Sequence, residues 1–300
     1  MSNTLINFIE RFKDEESCQK YLYEKRMKTG FTCPHCSNDK IYTFKDKLTF
    51  KCAKCRKKFN IKTGTIFAGS KISLRKWFLA IFLLTTNKKG ISSIQLAEQL
   101  GVTQKTAWFI DHRIRETYKQ GKEKLNGTVE IDETYVGGKQ KNKHKNKKVK
   151  GTQGRSCKTK APVVGMVQRN GRLIAKRTPN ATGETIENLI FESLDKNKTI
   201  LIADEYRVYN GIADERVNHS QGKYVIDTSH TNTIENFWSL LKRGILGIYH
   251  SVSIKHLQRY IDEFVYRYND RKLEPFERVE KCLNKMINKR FTYKKLVFNG

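Results

Sequence analysis

Thr128-Val-Glu-Ile-Asp-Glu-Thr-Tyr135 is the stretch that decides how this chain reads. Val129 and Ile131 alternate with Glu130 and Asp132, the period of two expected of a β-strand. A second stretch, Thr199-Ile-Leu-Ile-Ala-Asp204, is an apolar, β-branched run of strand length that ends on an acid. A buried carboxylate there is costly unless it is paired or binds metal. In a third, Ile234-Glu-Asn-Phe-Trp-Ser-Leu-Leu241, the apolar residues Ile234, Phe237, Trp238 and Leu241 recur at i, i+3, i+4 and i+7. That is the spacing of an amphipathic helix, with Glu235 bordering its apolar face. Asp132, Asp204 and Glu235 thus offer three hard oxygen ligands from two strands and a helix, a set suited to Mg2+ or Mn2+. Two such ions flanking one phosphate would serve an in-line displacement, one at the attacking oxygen and one at the leaving oxygen. Each acid alone fits a strand cap or a solvated helix residue; the combination favours the metal site.

Charge points to the partner. The chain carries 59 Lys and Arg against 30 Asp and Glu, a formal net charge of +29, which calls for a polyanion, nucleic acid first. The densest cluster is Lys139-Gln-Lys-Asn-Lys-His-Lys-Asn-Lys-Lys-Val-Lys150, continued by Arg155, Lys158 and Lys160. With almost no apolar residues it reads as a loop, either simply solvated, a localisation signal, or a grip on phosphate through Lys143, Lys145, Lys147 and Lys148. Its place directly after the Asp132 strand favours the grip. An anionic membrane is the competing partner, but the longest apolar run, Trp77 to Leu84, is far too short to span a bilayer. Glu10, Asp14, Glu15 and Glu16 interrupt the N-terminus where a signal peptide would be apolar. The expectation is a cytoplasmic, nucleoid-associated protein without a membrane partner.

Four of the seven cysteines fall as Cys33-Pro-His-Cys36 and Cys52-Ala-Lys-Cys55, the spacing of a zinc ribbon binding one structural Zn2+. Disulfides are the alternative, which an intracellular basic protein disfavours. Lys40 to Phe50 between the pairs can form a β-hairpin, and His35 is not needed once four thiolates complete a tetrahedron. Cys18, Cys157 and Cys282 have no partner at ligand spacing and read as ordinary thiols.

Helical signals follow. Leu74 to Leu84 precedes Ile91-Ser-Ser-Ile-Gln-Leu-Ala-Glu-Gln-Leu-Gly-Val-Thr-Gln-Lys-Thr-Ala-Trp108, which reads as a helix-turn-helix. Ser92 or Ser93 can cap a helix ending at Leu100, Gly101 supplies the turn, and Thr103 caps a second helix. The first turn of that helix presents Gln104, Lys105 and Thr106 to double-stranded DNA. A plain helical hairpin is the alternative.

The chain resembles zinc-ribbon, ISXO-type insertion-sequence DDE transposases, related to Merlin elements. The resemblance runs nearly end to end: Phe8-Ile-Glu-Arg-Phe-Lys-Asp-Glu-Glu-Ser-Cys18, the ribbon, Val129 to Lys139, Ala161-Pro-Val-Val-Gly-Met166, Ala203-Asp-Glu-Tyr206 and His230 to Gly244, continuing to Tyr266-Arg-Tyr-Asn-Asp-Arg271. It implies a ribonuclease H-like core in which Asp132, Asp204 and Glu235 match the first, second and third acids. Some relatives use Asn as the third ligand, so Asn232 is a substitute candidate. It also implies hydrolysis of a phosphodiester at the element's terminal inverted repeat, freeing a 3'-hydroxyl that attacks target DNA, performed by a homodimer or higher oligomer. Two other readings stay open: a DNA-binding regulator whose C-terminal domain only oligomerises, and another RNase H-like nuclease that joins no strands.

The remaining segments fit an α/β core. Pro162 to Val167 and Arg172 to Arg177 flank the turn Arg169-Asn-Gly171, Thr182 to Leu194 and Ile254 to Asn269 read as helices, and Tyr224 to Ile226 as a weaker strand. A mixed sheet with helices on both faces follows, with the acids gathered at one sheet edge. The domains expected are an N-terminal helical segment (1–28), the ribbon (29–68), the helix-turn-helix (69–120), the RNase H-like domain (126–275) and a C-terminal extension (276–300). Glu133 and Glu205 point away from their neighbouring acids on an ideal strand. His219 and His230 are candidates for proton transfer or phosphate binding, or are structural; Lys242 and Arg243 are candidates for DNA phosphate.

Overall fold

The computed structural model describes residues 4–138, 144–150, 152, 156–204, 206–216, 230–287 and 289–298, with only the backbone of 147 and 196. Two compact units emerge, one of residues 1–118 with 272–300 and one of residues 119–271.

The first unit opens with α1 (Leu5–Arg11) and α2 (Glu15–Lys28), the latter capped by Asp14 and Ser17 in a reciprocal capping box. Next comes an antiparallel three-stranded sheet of β1 (Ile41–Thr43), β2 (Thr49–Cys52) and β3 (Lys58–Asn60). The hairpin expected before Phe50 is thus extended by a third strand, because Phe59 pairs with Phe50 and the two rings stack beside Phe31. Three helices follow: α3 (Leu74–Thr86), α4 (Ser93–Leu100) and α5 (Gln104–Arg115). Ser92 caps α4, Gly101 turns the chain at φ +59°, and Thr103 caps α5.

The second unit is a five-stranded mixed sheet in the order β6-β5-β4-β7-β8. Its strands are β4 (Leu125–Val136), β5 (Ala161–Gln168), β6 (Leu173–Arg177), β7 (Leu194–Ala203) and β8 (Glu215–Arg216). β4, β5 and β6 run antiparallel, whereas β7 and β8 run parallel to β4 and β7. Asn170, at φ +58°, makes the β5–β6 turn. α6 (Gly183–Ser193) packs on one face with Val129, Ile131, Val164 and Met166. The other face, Val163 and Val167, is covered by α7 (Asn232–Gly244) and α8 (Leu257–Asn269). The predicted strand at Tyr224 to Ile226 lies outside the described residues. Helices do cover both faces, but the acids are not at a sheet edge: β4 is the central strand, since β5 and β7 both pair with it.

The chain then returns to the first unit as α9 (Pro275–Met286) and α10 (Tyr293–Phe298). α9 packs on α3, and Lys25 and Arg11 of the first two helices both reach Glu280. Ile66 N–H closes the return by donating to the Met286 carbonyl over 3.1 Å.

Candidate metal and nucleic-acid site

Register places the first two acids side by side. Ile131 pairs with Ala203 in the parallel β4–β7 ladder, so one step further Asp132 is level with Asp204, on strands about 4.8 Å apart. Both then turn to the α7 face, since Ile131 and Ala203 turn to the α6 face. Asp132 Oδ2 accepts from the indole Nε1 of Trp238 (2.9 Å) and Oδ1 from the N–H of Glu133 (2.8 Å). Asp204 Oδ1 accepts from the N–H of Tyr206 at 3.0 Å. Burial, then the charges of Glu133 and Asp204, push the Asp132 carboxyl up to about 8, against the two hydrogen bonds it accepts.

Glu235 is exposed in the first turn of α7, three residues before Trp238, and accepts from the Thr231 hydroxyl at 3.1 Å. Asn232 begins the helix and is exposed. Among the described residues, Asp132, Asp204 and Glu235 do not have ligand atoms all within 4.8 Å of one another, the reach of a single ion; a pair of ions 3.5–4 Å apart spans more. Glu133 turns to the opposite face, where its Oε2 accepts from the buried Tyr209 hydroxyl at 2.9 Å. Burial and the neighbouring Glu133 drive that hydroxyl's pKa far above its usual value.

The four ribbon cysteines do converge, their Sγ atoms all within 4.8 Å of one another. Cys33 and Cys55 are 3.7 Å apart, Cys36 and Cys52 3.6 Å. The backbone N–H groups of His35 and Cys55 point at Cys33 Sγ and Cys52 Sγ. Four thiol donors in a tight cluster are compatible with Zn2+.

Of the proposed DNA-binding residues, Gln104 and Lys105 are exposed and Thr106 half-buried. The Gln104 amide donates to Ser93 Oγ at 2.8 Å, bridging α4 and α5. Lys145, Lys148, Lys242 and Arg243 are exposed; Lys143, the Lys147 side chain, Glu205 and His219 lie outside the described residues. His230 sits at the foot of α7, its Nδ1 3.3 Å from Glu130 Oε1.

Residues 124–269 match the family model of the ISXO2-like transposase domain, and residues 13–58 that of the transposase zinc-ribbon domain. The chain belongs to the zinc-ribbon, ISXO2-like insertion-sequence transposases. It is 29% identical over 275 residues to an uncharacterized protein in transposable element ISH50 of Halobacterium salinarum, covering 86% of this chain and 92% of that one. Solved structures similar to parts of it include the Mos1 strand transfer complex, at 16% identity and a TM-score of 0.25 over 72% of this chain and 79% of that one. Another is the mariner Mos1 paired end complex with Mg, at 15% identity and a TM-score of 0.24 over 72% and 80%. No helix among the described residues is long and apolar enough to cross a membrane.

Two residues beside the proposed acids were not singled out from sequence. Glu130 is wholly buried on the Asp132 face of β4, and Trp238 reaches Asp132 from α7. Signals for both were present: Glu130 is two residues from Asp132 on a period of two, and Trp238 is the residue of the α7 apolar stripe whose side chain carries an N–H.

Proposed function

We propose that this transposase binds the terminal inverted repeats of its element, cleaves phosphodiesters there with divalent metal, and joins the freed 3'-hydroxyls to target DNA. The observation that carries the reading is the level placement of Asp132 and Asp204 on adjacent parallel strands, facing the helix that bears Glu235. Burial, and then the charges of Glu133 and Asp204, push the Asp132 carboxyl up to about 8, so a cation that neutralises this charge would favour the ionised pair. Asp132, Asp204 and Glu235 would hold Mg2+ or Mn2+, which supplies charge stabilisation to the attacking and leaving oxygens. Trp238 orients one Asp132 oxygen. No side chain needs to become a covalent nucleophile, since water and then the DNA 3'-oxygen attack. The mixed sheet covered on both faces suits the RNase H-like core implied by the family.

The ribbon cysteines Cys33, Cys36, Cys52 and Cys55 would hold one structural Zn2+, and α4 and α5 would act as a helix-turn-helix on the element's ends. Lys143, Lys145, Lys147, Lys148, Lys242 and Arg243 would neutralise phosphates, with the protein working as a homodimer or higher oligomer on DNA in the cytoplasm, at the nucleoid. Asp132→Asn or Asp204→Asn in the full chain is expected to abolish end cleavage in Mg2+ while duplex binding stays near wild type, because a ligand is lost and no basic surface is touched. Retained cleavage rejects the assignment. Glu235→Gln compared with Asn232→Ala decides which of the two completes the site.

A further inference from the structure

Glu130 is completely enclosed, and its carboxylate is spent on the foot of α7. Its Oε2 accepts from the N–H groups of Thr233 (2.9 Å) and Ile234 (3.1 Å). Its Oε1 accepts from the Thr233 hydroxyl (2.8 Å) and from Arg169 Nε (3.3 Å). The Arg169 guanidinium also donates to the His230 carbonyl at 3.1 Å. Thr231, at the cap position of α7, makes no side-chain capping bond. The first N–H groups of a helix need acceptors and its dipole favours an anion there; here the anion comes from the neighbouring strand, 103 residues earlier. A carboxylate ringed by donors in this way has no free lone pair for a metal.

Spacing turns this cap into a register device. Glu130 and Asp132 stand two residues apart on β4, about 6.6 Å. Ile234 and Trp238 stand four apart on α7, about 6 Å. The bonds Glu130 to Ile234 N–H and Asp132 to the Trp238 indole therefore tie strand and helix at two matched points, fixing both the axial position and the rotation of α7. Glu235 follows Ile234 directly. We propose that Glu130 is the positioning carboxylate of this transposase, setting the α7 register that holds Trp238 on Asp132 and presents Glu235 to the same site. The catalytic consequence rests on the metal-site reading above; the structural one does not.

The test uses the full chain with its three tryptophans replaced by 5-fluorotryptophan and the Trp238 fluorine resonance identified by its loss in Trp238→Phe. Glu130→Gln turns an amide NH2 towards donors, so the Trp238 resonance is expected to shift or broaden while those of Trp77 and Trp108 stay in place. In the same variant, single-turnover end cleavage is expected to fall about 10–100-fold, the usual cost of losing a partner behind a metal ligand. The Mg2+ needed for half-maximal rate should rise, and duplex affinity should be unchanged. Thr233→Ala, which removes only a hydroxyl donor, should move the same resonance less, and carries the test if Glu130→Gln does not fold. An unmoved Trp238 resonance in the variants that fold, or wild-type cleavage by folded Glu130→Gln, overturns the proposal. If Asp132→Asn still cleaves while Glu130→Gln moves Trp238, the metal-site reading falls and the register role stands.

Discussion

Gly165 lies directly across the β4–β5 ladder from Asp132, and the space a side chain would fill there is taken by the ring of Trp238. A Cβ at Gly165 would sit 2.6 Å from the indole Cη2 and 3.0 Å from Ile234 Cδ1. The indole needs that space to reach Asp132. Gly165→Ala is therefore expected to cost about 1–3 kcal/mol by overpacking, read as a lower denaturation midpoint, and to displace Trp238 from Asp132. An unchanged midpoint would contradict this packing.

The raised Asp132 carboxyl makes stability depend on pH. With a folded value near 8 and an ordinary value near 3.8, the folded state holds a proton that the unfolded state has released. This contribution is full below the usual carboxylate range and is lost as pH rises through about 8. Without added divalent metal, the melting temperature of the wild type should fall relative to that of Asp132→Asn as pH goes from 4 to 9. Mg2+ should stabilise the wild type most at the alkaline end, where the carboxylate is charged. Parallel melting curves for the two proteins across that range would refute the shift.

Cys33, Cys36, Cys52 and Cys55 should bind one zinc per chain by elemental analysis. Cys52→Ser should lose it and loosen the ribbon, because binding energy at a structural site is folding energy. A zinc-free protein whose β1–β3 amides stay protected from exchange would refute this.

Neutralising Lys143, Lys145, Lys147 and Lys148 should weaken binding to terminal and random duplexes alike and flatten the salt dependence, by about 0.9 in log–log slope for each DNA phosphate that is no longer neutralised. Substituting Gln104 and Lys105 should instead relax preference for the terminal sequence. A loop variant that lost only terminal-sequence binding and kept its salt slope would reverse the division.

Local chemistry was legible in the chain itself. The cysteine spacing, the Ser92, Gly101 and Thr103 punctuation of α4 and α5, the Asn170 turn, and the alternation through Val129 to Asp132 all act over a few residues. Short-range sterics and hydrogen bonding decide such features wherever the segment lies. Tertiary structure alone decided the rest. β4 became central because β5 and β7, about 30 and 70 residues later, pair on either side of it. α9 rejoined the first unit, packing against α3. Glu130 became the cap of α7, and Trp238 the donor to Asp132, only when helix and strand were brought together. A period of two shows which face a residue takes, but not which of two acids on that face meets a helix terminus and which is left to face its neighbouring strand's acid. Long-range pairing settles that, and no short stretch of the chain contains it.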